Sequence, residues 1–406
     1  MRILIYSINY FPELTGIGKY NAEMTEWLAD RGHEVVIITA PPYYPWWQVQ
    51  LSYRSWTYRS ERINNVKVYR CPLWVPRIPT GGKRSLHLLS FALSSIPLLF
   101  IQLLKRPDVI VVLEPTMFCT PAALGLARLF RIKTWLHVQD FEVDAALGLG
   151  LVKFKMIGRT AKNIERWLMN CFNRVSTISN SMLERLLTKG VIHEKSVLFP
   201  NWIDTKNIFP LPRVSIYRAQ LGISEGTCVA LYSGNMGKKQ GLEVLLEAAK
   251  ALQTEPKLLL VLCGEGPARD RLMKMGVDLC NVRWLPLQPA EKLNELLNLA
   301  DVHLLPQRAD IADLVMPSKL LGMLASGRPV LATAYPKTQL AKVVSSCGKV
   351  VEPGNTQEVV QGLLELLHAP QERTRLGAEA RKAAQCWDKS SVLHGFENQL
   401  QALCNK

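Results

Sequence analysis

Short apolar runs rich in Val, Ile and Leu recur along the chain, and between them apolar residues return at every third or fourth position among polar ones. The runs predict strands at 3–8, 34–39, 66–69, 109–113, 134–138, 175–178 and 197–199, then at 229–233, 258–263, 282–285, 302–305, 330–332 and 350–352. The periodic stretches predict helices at 22–29, 164–170, 182–188, 242–251, 292–299 and 359–367. Strands that are apolar on both faces and alternate with helices imply parallel sheets covered on both sides, so the fold class is α/β. The alternation stops at 199–212, where Pro200, Pro210 and Pro212 interrupt any regular element, and restarts at Val229 with a new strand. The domain boundary falls there, giving a first domain over 1–205, a second over 206–387, and a last helical stretch, 388–406, expected to pack back on the first. Each domain is expected to be a doubly wound, Rossmann-like sheet that binds ligands at the carboxyl ends of its strands, the two facing a central cleft.

One apolar stretch departs from this pattern. Residues 86–104 contain no Asp, Glu, Lys or Arg and are flanked by Lys83-Arg84 and Lys105-Arg106. The length suits a membrane-spanning helix, but His87, Gln102 and Pro97 and the position inside a run of βα units suit a buried helix or an interfacial one. All three readings stay open on sequence alone.

Composition narrows the class. Hydrophobic residues make up 48% and charged residues 20% of the 406, which excludes a disordered chain. The formal charge of +15 favours anionic partners, and residues 1–205 hold 25 Lys+Arg against 15 Asp+Glu, so the first half is the more basic. With the flanked apolar stretch, that excess points to an anionic membrane face. No Lys/Arg run or recognition module points to nucleic acid. The nine cysteines include no Cys-x-x-Cys pair, so neither a disulfide framework nor a zinc site is expected, and a reducing cytoplasm fits best. The N-terminus reads as a strand, not a signal peptide.

The chemistry-bearing motifs sit where strands end. Gly16-Ile-Gly18-Lys19 lies between the first strand and a helix, where a backbone without side chains can approach a ligand or simply turn tightly. Gly234-Asn235-Met-Gly237-Lys238-Lys239 joins a glycine loop to two ammonium groups, a combination suited to a diphosphate. Gly264-Glu-Gly266-Pro267 is a further glycine turn after a strand. Pro317-Ser318-Lys319 opens a helix with a hydroxyl and a cation, a second anion site in the same half. His137 ends a strand and is followed by Asp140, Glu142 and Asp144, which makes it either a site residue or a core histidine. The absence of a Gly-x-x-x-x-Gly-Lys-[Ser/Thr] loop, of His-Glu-x-x-His and of Asp-x-Asp removes support for P-loop hydrolysis, zinc proteolysis and metal-diphosphate binding, and no metal site or other cofactor is expected.

Taken together, Pro12-x-x-x-Gly16-x-Gly18, Gly32-His33-Glu34-Val35, Pro200-Asn201-x-x-Asp204, Gly234 to Gly241, Gly264-x-Gly266-Pro267, Ala300-Asp301-Val302 and Gly327-x-Pro329-Val330 resemble glycosyltransferase family 4 over essentially the whole chain. More narrowly, Ala40-Pro-Pro-Tyr-Tyr-Pro45, the run at 137–145 and Gly148-Leu-Gly-Leu151 are similar to transferases of colanic acid and related exopolysaccharide assembly. The resemblance implies the GT-B fold and a retaining, metal-independent sugar transfer from a nucleotide-sugar donor to a saccharide acceptor carried on polyprenyl diphosphate. It implies that the second domain binds the donor, with Gly234, Gly264 and Gly266 in the loops and Lys239, Ser318 and Lys319 at the diphosphate. It further implies that His137 contacts the donor sugar and that the loop of Gly16, Gly18 and Lys19 faces both substrates. Two departures stand out: the arginine that often follows the loop glycine is Asn235, and the family's paired glutamates fall at Leu314 and Gly322. Asp313 is the available substitute for the first, with Asp140 and His137 completing the candidate catalytic set. Alternatives on the same scaffold are a sugar-nucleotide epimerase or hydrolase, and a non-catalytic assembly partner.

Overall fold

The computed structural model describes residues 1–13, 16–114, 117–141, 155–237, 240–308 and 317–405. The chain divides into two compact units, Met1–Asn201 with Leu393–Lys406, and Trp202–Val392. The division thus falls at 201/202 and again inside the final helix.

The first unit holds β1 (Arg2–Tyr6), β2 (Glu34–Thr39), β3 (Arg59–Ile63), β4 (Val66–Arg70), β5 (Val109–Glu114), β6 (Lys133–Val138), β7 (Arg174–Thr177) and β8 (Ser196–Leu198). They form one sheet in the order β3-β4-β2-β1-β5-β6-β7-β8, parallel except for β3. Among the described strands, that edge strand is the one the hydrophobic pattern missed; the helices at Thr120–Leu129, Arg269–Met275 and Pro370–Gln385 are also not among those predicted. Arg-Ser-Glu-Arg-Ile is polar, largely exposed and pairs only with β4, through a turn at Asn64 and Asn65 whose φ angles are both positive, as a tight hairpin requires. The central strands are buried on both faces, with Ile3, Ile5, Ile37, Val112 and Leu136 at 0–1% exposure, and this makes them readable as uninterrupted apolar runs.

The second unit holds β9 (Cys228–Ser233), β10 (Leu258–Cys263), β11 (Val282–Leu285), β12 (Val302–Leu305), β13 (Val330–Thr333) and β14 (Gly348–Val351), in the order β11-β10-β9-β12-β13-β14 and parallel throughout. In each sheet the chain winds one way from its first strand and then the other. The switch points lie between β1 and β5 and between β9 and β12, where adjacent connections diverge and leave a crevice beyond the carboxyl ends.

Four helices matter below: α1 (Ile17–Asp30), α2 (Gly81–Leu104), α3 (Lys319–Ala325) and α4 (Lys389–Cys404). The stretch left open in sequence is α2. Leu88, Phe91, Ala92, Leu99 and Leu103 on one face join the first unit's core, and the hydroxyls of Tyr6 in β1 and Ser95 in α2 share a hydrogen bond. Leu393 to Leu403 of α4 return to the first unit, where Phe396 stacks on Phe199 at 4.1 Å and meets Trp135 edge-on at 5.2 Å. Glu397, also on α4, accepts hydrogen bonds at 2.7 Å from Arg31 and His33 beyond α1.

Candidate functional site

In the second unit, β9 and β10 run in register and end together, Ser233 opposite Cys263. The glycine turns that follow are packed backbone on backbone. Gly234 N donates to Cys263 O at 3.0 Å, Met236 N to Glu265 O at 2.8 Å and Ala268 N to Met236 O at 2.9 Å. A Cβ on Gly264 would stand 1.9 Å from Gly234 O, and one on Gly266 would stand 2.6 Å from Met236 O. No side chain fits, so the two loops act as one platform at the strand ends.

Lys319, the first residue of α3, reaches onto that platform. Its Nζ lies 4.2 Å from the centroid of the Tyr232 ring, and a Cβ on Gly234 would be 3.8 Å from it. It has no hydrogen-bond partner among the described residues. The Tyr232 hydroxyl is already engaged, donating to Asn235 O at 2.6 Å, so what Lys319 meets is the ring face. Burial pushes its ammonium down to about 7. A buried cation without an acceptor is costly, and an anion beside it would offset that cost. Ser318 is exposed and its side chain caps nothing; α3 has only seven residues, so the anion-binding character of this corner rests on Lys319 and not on the helix start.

Arg308 follows β12, across the switch point from β9. A Cβ on Gly241 would lie 3.0 Å from its Cγ, which puts it against the end of the glycine loop. Sequence reasoning missed it because no glycine, proline or motif marks its position. Asn235 is exposed on the platform. Lys238, Lys239 and Asp313 lie outside the described residues.

In the first unit, Gly16 caps α1 with φ of 62° and Gly18 sits in its first turn. A Cβ on Gly18 would collide with Glu13 Cβ at 2.8 Å, so the glycine there makes room for a carboxylate that sequence reasoning did not single out. Glu13 is 2% exposed. Its Oε1 accepts from the backbone N–H groups of Tyr43 and Tyr44 at 3.0 and 2.9 Å, and its Oε2 from Asn9 Nδ2 at 2.9 Å. Burial pushes its carboxyl above the usual range, against the pull of those donors. One side chain thus ties together the loop after β1, the start of α1 and the loop after β2. Lys19 belongs to α1, and its ammonium pairs with Glu23 at 3.7 Å one turn on.

His137 lies near the carboxyl end of β6, two strands from β1 in the same sheet. Its Nδ1 shares a hydrogen bond of 2.9 Å with Ser176 Oγ, and the same hydroxyl oxygen accepts from Trp135 Nε1 at 2.7 Å. Its ring packs 4.9 Å from Phe199, which rests on Phe396 of α4. Burial holds the imidazole down at about 3, so it is neutral at any working pH. Asp140 is half-buried just beyond β6, while Glu142 and Asp144 lie outside the described residues. No group of three or more His, Cys, Asp or Glu side chains among the described residues could hold a metal ion. A surface cavity of about 230 Å³ lined by Thr227, Pro256 and Asn281 lies at the amino ends of β9–β11, the opposite end of the second sheet from the glycine turns.

Known proteins share this organisation. The family described as glycosyl transferase 4-like domain matches residues 15–202, and the one described as glycosyl transferases group 1 matches residues 214–383. The chain is 42% identical over 411 residues, covering 99% of its own length and 100% of the relative's, to the putative colanic acid biosynthesis glycosyl transferase WcaI of Escherichia coli (strain K12). Sucrose-phosphate synthase from Thermosynechococcus elongatus has the same fold at a TM-score of 0.76, with 17% identity over 99% of both chains. HepE of Anabaena, in complex with UDP and glucose, does so at 0.70, with 15% identity over 99% of this chain and 100% of that one.

Proposed function

The chain belongs to the GT-B glycosyltransferases that join a glycosyl transferase 4-like domain to a group 1 domain, and from that premise we propose that it moves a sugar from a nucleotide-sugar donor to a saccharide acceptor with retention of anomeric configuration. The acceptor is carried on polyprenyl diphosphate, and the product is an intermediate of a colanic-acid-type exopolysaccharide, in keeping with the function named for the WcaI relative. The observation that carries this reading is the Lys319 ammonium over the glycine platform, which has no hydrogen-bond acceptor among the described residues.

Breaking the bond between anomeric carbon and diphosphate leaves an oxocarbenium-like sugar and places negative charge on the leaving group. A fixed cation and backbone amides at that point act most strongly in the transition state, where the charge is greatest. Lys319 supplies the cation, Gly234, Asn235, Gly264 and Gly266 the close backbone approach, and Ser318 opens the helix that carries Lys319; Lys239, outside the described residues, is assigned to the diphosphate by the family resemblance alone. The acceptor hydroxyl attacks on the face the leaving group departs from, and a diphosphate oxygen takes its proton. No metal ion and no second carboxylate nucleophile is then required, unlike in a retaining glycosidase. His137, neutral and rigidly held, orients the donor sugar, with Asp140 two residues beyond its strand as a further candidate; Asp313, outside the described residues, remains a candidate from sequence alone. Gly16, Gly18 and Lys19 belong to the acceptor side. The UDP bound by the HepE relative supports a nucleoside diphosphate leaving group.

The test is a panel of nucleotide sugars incubated with and without polyprenyl-diphosphate-linked saccharide, reading released nucleoside diphosphate and product mass. Transfer only when both are present is expected. Nucleoside diphosphate release without any acceptor dependence would instead establish a hydrolase.

A further inference from the structure

The helix α2 has two unlike faces. It is long and apolar enough to cross a membrane, an 18-residue stretch of it having a mean hydropathy of 1.8, yet Phe91, Leu99 and Leu103 are fully buried in the first unit's core and Gln102 and Ser95 are buried with them. Pulling the helix out to span a bilayer would expose that core, so spanning is excluded by packing. The other face is uncovered. Leu86, Leu89, Leu93, Ile96, Phe100 and Leu104, spaced three or four residues apart, are between 37% and 60% exposed. Only a stripe along one side of a helix has this spacing.

Aromatic side chains flank that stripe and are bonded to the same helix. The Tyr58 hydroxyl donates to Ser94 O at 2.7 Å, and neighbouring Trp56 is 73% exposed. His87 Nδ1 donates to Trp74 O at 2.7 Å, and Trp74 N donates to Ser90 Oγ at 3.1 Å, which fixes a 46% exposed indole beside α2. Indole and phenol rings favour the boundary between hydrocarbon and water. Both ends of the helix are basic, with Lys83 and Arg84 at one end and Lys105 and Arg106 at the other, all four exposed, and α2 contains no acidic residue.

We propose that this face is a monotopic membrane-docking surface: α2 lies in the plane of an anionic bilayer, with its apolar stripe among the acyl chains, Trp56, Tyr58 and Trp74 at the interface and the two basic pairs on lipid phosphates. The occupant follows from charge. A second copy seated on the stripe, parallel or antiparallel, would set basic ends against basic ends with no acidic complement, whereas anionic headgroups complement both ends at once. Each basic residue near an anionic surface strengthens binding by about fivefold. The proposal uses neither donor nor acceptor, so it stands or falls separately from the transfer reaction.

The experiment is cosedimentation of the full chain with vesicles of phosphatidylcholine alone or mixed with 30% phosphatidylglycerol. Binding is expected only with the anionic lipid, weakening by about tenfold or more between low and high salt and released by alkaline carbonate. Leu93→Glu with Phe100→Glu should reduce the partition coefficient by at least tenfold, and Lys83→Ser with Lys105→Ser by about the square of the single-residue factor. Should the apolar-face variant fail to fold, quenching of wild-type tryptophan emission by brominated phosphatidylglycerol, diminished in Trp56→Phe and Trp74→Phe, reads the same contact. Wild-type protein left in the supernatant at low salt would overturn the proposal. So would binding unaffected by these substitutions, resistance to alkaline extraction, or a concentration-dependent dimer abolished by Leu93→Glu in the absence of vesicle binding.

Discussion

The ammonium of Lys319 stands 4.2 Å over the face of the Tyr232 ring and touches no hydrogen-bond acceptor among the described residues. Burial lowers it to about 7, so in the free protein at pH 8 most of the population is neutral. A diphosphate at the platform would restore the charge, so nucleoside diphosphate binding at pH 8 should take up close to one proton. Calorimetry in buffers of different ionisation enthalpy measures it, and Lys319→Met should abolish the uptake. Lys319→Ala is also expected to lower kcat/KM by about 10²-fold or more. Because the folded pKa lies below the unfolded one, the ligand-free wild type loses stability relative to Lys319→Met as pH falls from about 10 to 7, and no further below that.

Gly264→Ala brings a methyl group to within 1.9 Å of the Gly234 carbonyl oxygen, at a φ of 143° that side chains rarely adopt. The two turns must separate. Nucleoside diphosphate affinity should fall by at least tenfold and the second unit's melting temperature should drop, read by titration and by calorimetry. Gly125→Ala, on an exposed helix position with nothing within 4 Å, should leave both unchanged or raise stability by up to about 1 kcal/mol.

Much of this was legible in the sequence and some was not, for reasons that lie in particular residues. The parallel strands announce themselves because they are buried on both faces, whereas β3 hides because Arg59 to Ile63 lie on an exposed antiparallel edge. Glycine spacing pointed to the platform, since Gly264 and Gly234 have no room for a Cβ. It could not reveal that Lys319 has no acceptor among the described residues, or that Glu13 lies beneath Gly18, because both facts depend on what meets across the fold. The open question at 86–104 could be resolved only by seeing which face of α2 is covered.

Glu13 accepts three N–H donors and offers none in return. Glu13→Gln forces an amide N–H against one of them. Stability should fall by about 1–3 kcal/mol in urea melts, and turnover should fall several-fold as the loops after β1 and β2 lose their common anchor. Glu13→Asp, which keeps the charge but shortens the reach, should restore only part of either.

His137→Ala should cut turnover while leaving nucleoside diphosphate affinity intact, as measured by initial rates and titration. Its folded pKa of about 3 lies below the unfolded value, so the wild type is stabilised above pH 6.5 and loses that contribution as pH falls toward 3. Thermal melts between pH 7 and 4.5 should therefore fall more steeply for wild type than for His137→Ala. Equal losses of melting temperature and nucleotide affinity at pH 7 would make the histidine a core residue only.

The stacked rings of Phe396 and Phe199 join α4 to the unit built by residues 1–201, across the whole of the second unit in sequence. During synthesis the eight-stranded sheet emerges with Trp135 and Phe199 uncovered, and their cover is translated only after the whole second unit. A nascent chain stalled anywhere before α4 therefore carries an unfinished first unit, so completion of the N-terminal half waits for the synthesis of α4. A fragment ending near residue 201 should stay poorly soluble unless a peptide carrying Leu393, Phe396 and Leu400 is supplied to it.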